Sequence, residues 1–99
     1  MFNGEIVLQQ LGGRRFTMMT GAKHFVQSKK ESWISFRLPS RFAKDGINYV
    51  KIHLTVMDDY TLTFSKVWGT KVTEVAKVEG VYCDQLQSVF TEKTGLYTY

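Results

Sequence analysis

The chain has 99 residues, 43% of them apolar and 14% aromatic, with a single Pro and a single Cys. That length supplies one modest core and excludes a second, so residues 1–99 are expected to form a single domain, and the apolar content excludes a disordered tail. The formal charge of +4 is unevenly spread: between Arg14 and Lys71 eleven Lys or Arg face four acids, a surplus of seven, while the two ends are acidic. Such a middle favours an anionic partner, or else is the solvated face of a folded domain.

Cys83 alone excludes an internal disulfide. No apolar run approaches the roughly 18 residues of a membrane-spanning helix. Neither a membrane segment nor a secretory signal is therefore expected, and the cytoplasm is the default setting.

In chain order, Asn3 caps a short helix with Glu5 in its first turn and Val7, Leu8 and Leu11 along one side, ended by Gly12-Gly13. "RRFTMMT" alternates loosely and reads as a strand that Gly21 terminates. After the polar turn "SKKE", "SWISFRL" sets Ile34, Phe36 and Leu38 on one face and Trp33, Ser35 and Arg37 on the other, until Pro39 stops it. The connection "PSRFAKDG" leads into "INYVKIHLTV", where Val50, Ile52, Leu54 and Val56 alternate with Tyr49, Lys51, His53 and Thr55.

Asp58-Asp59 turns the chain into "YTLTFSKVW", giving an antiparallel hairpin with Leu62 and Phe64 inward and Thr61, Thr63 and Ser65 outward. Beyond Gly69, "TKVTEVAKV" has Val72, Ala76 and Val78 on one side and Lys71, Thr73 and Lys77 on the other. A helix is the rival reading, and its β-branched residues favour a strand. From Val81 the period lengthens: Tyr82, Leu86, Val89 and Phe90 form one helical stripe, Lys93 suits the last turn, and Gly95 ends the helix with Leu96 folding back on Phe90. The expected fold is α+β, a two-layer sandwich of about five antiparallel strands with a short N-terminal helix and a C-terminal helix.

If the helices cover the Ile34, Phe36, Ile52, Leu54, Leu62 and Phe64 face, the other carries Trp33, Arg37, Tyr49, Lys51, His53, Thr63, Lys71 and Lys77. Rings interleaved with cations suit a single-stranded nucleic acid, because rings stack bases while cations neutralise phosphates. The same pattern also fits cross-strand packing of Trp33 and Tyr49 on an open sheet kept soluble by lysines. No Lys/Arg-Gly-Phe/Tyr-Gly/Ala-Phe signature of the commonest sheet-based RNA binder is present.

"GGRRFTMMTGAK" fails as a phosphate loop: its glycines are too far apart, Gly-Ala-Lys stands where Gly-Lys-Ser/Thr is needed, and the expected passage is helix to strand. Arg14, Arg15 and Lys23 remain as backbone contacts without base specificity. Two histidines and one cysteine lack the spacing of a zinc site, so no metal is expected, and no motif calls for a cofactor. Asp58-Asp59 beside His53 reads as a hairpin tip rather than a general base, and Cys83 as a small buried thiol rather than a nucleophile. The chain is therefore expected to be no enzyme. The facing of Trp68 and Phe42 stays unassigned.

In "FTMMTGAKHF", "INYVKIHL" and "VYCDQLQSVFTEKTGLYT" the chain resembles small proteins of bacteriophages and related bacterial mobile elements, from about Gly12 to Thr98. Its characteristic pieces are Met19-Thr20-Gly21-Ala22-Lys23 and Thr94-Gly95-Leu96-Tyr97-Thr98. The resemblance implies a setting, the cytoplasm of a bacterial host cell, and carries no activity or site residue.

Two functions remain open. One is a non-enzymatic accessory protein binding nucleic acid, single-stranded by preference, through Trp33, Arg37, Tyr49, Lys51 and His53 with Arg14, Arg15 and Lys23 at the margin. The other is a protein-interaction module, a homodimer or an inhibitor of a host protein, docking through the open sheet face or a strand edge.

Overall fold

Asn3 opens the first helix. In the computed structural model, which describes residues 2–39 and 43–96, the Asn3 side chain accepts the Glu5 N–H at 2.9 Å and α1 (Gly4–Leu11) follows, burying Gly4, Val7 and Leu11. Gly4 is a close approach: a Cβ there would stand 2.7 Å from Gln27 Oε1 and 3.0 Å from Ile34 Cδ1.

The segment expected as a first strand is instead a second helix, α2 (Arg14–Thr20), entered through Gly13 at φ 61° and closed by left-handed Gly21. Phe16 and Thr20, four apart, are both fully buried, and the Thr20 hydroxyl donates to the Phe16 carbonyl at 2.7 Å. With seven residues the helix shows one such pair, too little for its period to register in the sequence. Arg14, Arg15, Met18 and Met19 are good helix formers.

The first strand is β1 (Lys23–Ser28), which the alternation did not reveal. Its pairing jumps from Lys23↔Arg37 to Val26↔Ser35, a bulge in which His24 takes φ 57°, so its residues do not keep a period of two. Four strands follow where expected: β2 (Trp33–Arg37), β3 (Tyr49–Leu54), β4 (Tyr60–Trp68) and β5 (Lys71–Val81). All pairs are antiparallel, and the order β1-β2-β3-β4-β5 is a meander.

β3 ends at Leu54, earlier than its apolar alternation implied, and Val56 is fully exposed in the hairpin connection. There the Thr55 hydroxyl donates to Asp59 and Asp58 adopts φ 62°, so both acids are turn residues.

The last helix, α3 (Leu86–Thr94), starts later than the stripe implied. Tyr82 caps a 3-10 turn ahead of it and is exposed, as is Cys83, which is therefore not a buried thiol. Gly95 is left-handed and donates to the Thr91 carbonyl, and Leu96 returns into the core. Among the described residues no helix is long and apolar enough to cross a membrane.

Both layers meet at a ring cluster. Phe90 lies 5.3 Å from Phe16, 6.2 Å from Phe36 and 6.5 Å from Phe64, and Phe16 stands edge-on to Phe36 at 5.3 Å. The helices thus cover one sheet face, that of Ile34, Phe36, Val50, Ile52, Leu62 and Phe64. Buried Asn48 ties three strands at the sheet's end. Its amide N–H donates to the Ser65 carbonyl and its own carbonyl receives Leu38 N–H, while its side chain exchanges two bonds with the Val67 backbone at 2.8 and 3.0 Å.

Phe90→Ala is expected to lower unfolding stability by about 3–5 kcal/mol, because the cavity opens among three other rings. Asn48→Ala is expected to cost about 2–3 kcal/mol by orphaning the Val67 backbone groups. Urea unfolding followed by circular dichroism measures both.

Candidate functional site

The face turned away from the helices is assembled by register. Trp33 stands opposite His53, Ser35 opposite Lys51 and Arg37 opposite Tyr49; on β4, Thr61, Thr63 and Ser65 continue the same three rows. Lys77 on β5 lies opposite Thr63, so Ser35, Lys51, Thr63 and Lys77 form one cross-strand row of alternating hydroxyl and ammonium groups. The row of Arg37 and Tyr49 is extended on its other side by Lys23.

The β2–β5 part of this face encloses a depression of about 410 Å³ lined by Glu31, Trp33, Lys51, His53, Thr61, Thr63 and Lys77. Lys51 Nζ stands 4.6 Å from the centre of the Trp33 ring, a cation–π contact, while the indole N–H donates to Glu31 at 3.4 Å. Trp33, Tyr49, Lys51 and His53 are all half-buried, so the surface is made of side chains lying along the sheet rather than standing free in water.

Beside it, Lys23 and Arg37 form a cross-strand pair of like charges. Like charges directly opposite repel. Among the described residues neither has a carboxylate within ion-pair distance; the single such pair, Lys77 with Glu79 at 3.9 Å, lies at the other side of the sheet. A second hollow of about 250 Å³ is lined by Lys23, His24, Arg37, Leu38 and Pro39.

Six of the eight expected site residues thus share one face: Lys23, Trp33, Arg37, Tyr49, Lys51 and His53. Arg14 and Arg15 do not. Because their segment is α2, whose Phe16 packs on the inner face, they lie in the helix layer on the far side of the sheet. Lys71 also leaves the face. The β4–β5 pairing shifts between Phe64↔Ala76 and Ser65↔Glu74, and the extra residue turns Lys71 to the side of Trp68 and Lys66 and Val72 outward.

Sequence reasoning passed over Glu31 as a lining residue; it set Thr63 and Lys77 on this face and Thr61 outward without naming them as site residues. Trp68 is exposed with Lys66 Nζ 5.8 Å from its ring, and Phe42 lies outside the described residues. No group of three His, Cys, Asp or Glu that could hold a metal occurs among the described residues.

On the helix side, Tyr60 is buried and donates its hydroxyl to Gln10 at 3.0 Å. Burial raises its pKa above 10.0, the neighbouring Cys83 adds to the rise, and the Gln10 bond opposes it. The chain matches no protein-family model, and no curated protein or solved structure matches it.

Since the folded phenol keeps its proton where the unfolded one releases it, Tyr60 contributes a loss of stability as pH rises above 10.0. As pH rises above 10.0 the native protein is expected to lose stability more steeply than Tyr60→Phe. At neutral pH the variant is expected to be about 1 kcal/mol weaker for want of its hydrogen bond. Denaturant titrations across that range check both.

Proposed function

We propose that the outer sheet face binds single-stranded nucleic acid, and that the protein is a non-enzymatic accessory factor of a bacteriophage or mobile element acting in the host cytoplasm. The phage setting rests on the sequence resemblance. The binding reading rests on one observation: a depression holding an indole, an imidazole, two threonine hydroxyls and two ammonium groups, beside a Lys23–Arg37 pair with no carboxylate partner among the described residues.

The division of labour follows from the chemistry. Trp33 offers a stacking face of low sequence preference, and Lys51, which now occupies that ring, moves onto a phosphate as a base arrives. Threonine and histidine donors can meet base edges or sugar hydroxyls along an unpaired strand. Repulsion between Lys23 and Arg37 falls when an anion sits between them, so phosphate binding at that corner relieves a cost present in the free protein. Arg14 and Arg15 take no part, because they stand on the other layer.

A polarisation titration with labelled single-stranded DNA, RNA and duplex at several salt concentrations tests the proposal. Binding should favour single strands and weaken with salt at a log–log slope of about −0.7 per phosphate contacted. Lys51→Ala and Arg37→Ala should each make that slope shallower by about 0.7. Trp33→Ala should lower affinity by about 1–3 kcal/mol and leave the slope unchanged. Absence of binding at low salt, where the attraction is strongest, overturns it.

A further inference from the structure

Among the described residues β5 is the longest strand, and it lies at the sheet edge with β4 as its one partner strand. It runs eleven residues, and from Lys71 to Gly80 all but Ala76 and Val78, which are half-buried, are exposed. Such an edge is a template for another strand, and folded proteins blunt it with bulges, lysines or a covering element. β5 has two bulges, one at its midpoint beside Val75 and one near its end around Gly80, and two lysines, yet two glutamates balance the lysines. An edge built to repel other strands would carry one sign of charge; this one carries both.

The faces of β5 are set by its pairing with β4. Val72, Glu74, Lys77 and Glu79 point to the outer face. Lys71, Thr73, Ala76 and Val78 point to the helix side, where Val75 joins Ala76 in lining a hollow with Ile47 and Lys93. Antiparallel partners must point to the same face. Across a two-fold axis between Val75 and Ala76, the pairs are Lys71 with Gly80, Val72 with Glu79, Thr73 with Val78, Glu74 with Lys77, and Val75 with Ala76. From Val72 to Glu79 every pair is matched in face, and the central bulge lies opposite its own copy, while the bulge near Gly80 falls at the ends of the paired stretch.

The neighbouring registers fail. A slip of one residue sends paired side chains to opposite faces. Of the slips by two, one sets Glu74 against Glu79 of the other copy, and the other sets outward Glu74 against inward Val75.

We infer that β5 pairs antiparallel with β5 of a second copy of this chain, about a two-fold axis between Val75 and Ala76, with Glu74 of each copy opposite Lys77 of the other. The charge pairing is self-complementary and occurs twice, as an interface between identical surfaces demands. Val72 and Val75, exposed in the single chain, gain cover. The existing contact of Lys77 with Glu79 is exposed and long at 3.9 Å, so it is no obstacle. Two five-stranded sheets become one of ten strands, with both outer faces on the same side. The inference does not rest on the nucleic-acid reading.

Sedimentation velocity over a range of concentrations tests it, with circular dichroism to confirm that each variant is folded. The native protein should be a dimer. Glu74→Lys and Lys77→Glu should each weaken self-association by about tenfold or more, since two attractive pairs become two repulsive ones. The double exchange E74K/K77E should restore the dimer, and mixing the two folded single variants should yield a one-to-one heterodimer. A native protein monomeric at all concentrations overturns the inference, as does a dimer indifferent to these charges. Nucleic-acid binding by the single variants, measured separately, reports on the other proposal alone.

Discussion

Four phenylalanines, at 16, 36, 64 and 90, come from four elements and meet around one point, with Phe90 touching the other three. The two-layer arrangement depends on this contact. Helices of seven to nine residues, such as α1, α2 and α3, are too short to persist in water, because the cost of nucleation is not recovered over so few hydrogen bonds. What holds α2 is Phe16 and Thr20; what holds α3 is Leu86, Phe90 and Thr94. Gln87 then ties α3 to the last carbonyl of α1, so the helical layer closes as a unit.

Committing all three helices to the one core around that ring cluster leaves the other face of the sheet uncovered by helix, and the meander decides what appears there. Because neighbours in sequence are neighbours in space, the outward residues of β2, β3 and β4 align row by row. Cations gather at one side: Lys23, Arg37 and Lys51 lie on β1 to β3, where Glu31 is the acid that lines the depression. At the other side, β5 alternates Glu74, Lys77 and Glu79. On the two proposals an anion meets the β1–β3 side and a second copy meets the β5 edge, with Lys77 shared between the depression and that edge, and ionic strength should weigh more heavily on the first.

Two bulges do much of this sorting. At β1 the extra residue breaks alternation and brings Lys23 opposite Arg37; at β5 it turns Lys71 away and Val72 outward. Each is invisible to a reading of strict alternation, since a bulge is specified by how a strand meets its partner and leaves no fixed residue signature. The same limit explains Arg14 and Arg15. Their side of the molecule was settled when Phe16 found Phe36 and Phe90, contacts twenty or more residues distant.

Alternation of apolar and polar residues was enough to place β2, β3 and β4, their facing, and hence Trp33, Arg37, Tyr49, Lys51 and His53 on one surface, because a period of two is a local property of an extended chain. Capping at Asn3 and the left-handed Gly95 were legible for the same reason. Strand order, the helical state of Arg14–Thr20, the exposure of Tyr82 and Cys83, and the depression around Trp33 were not. These belong to the tertiary structure, since each is set by which distant surface a segment buries and a short segment's own pattern is compatible with more than one answer.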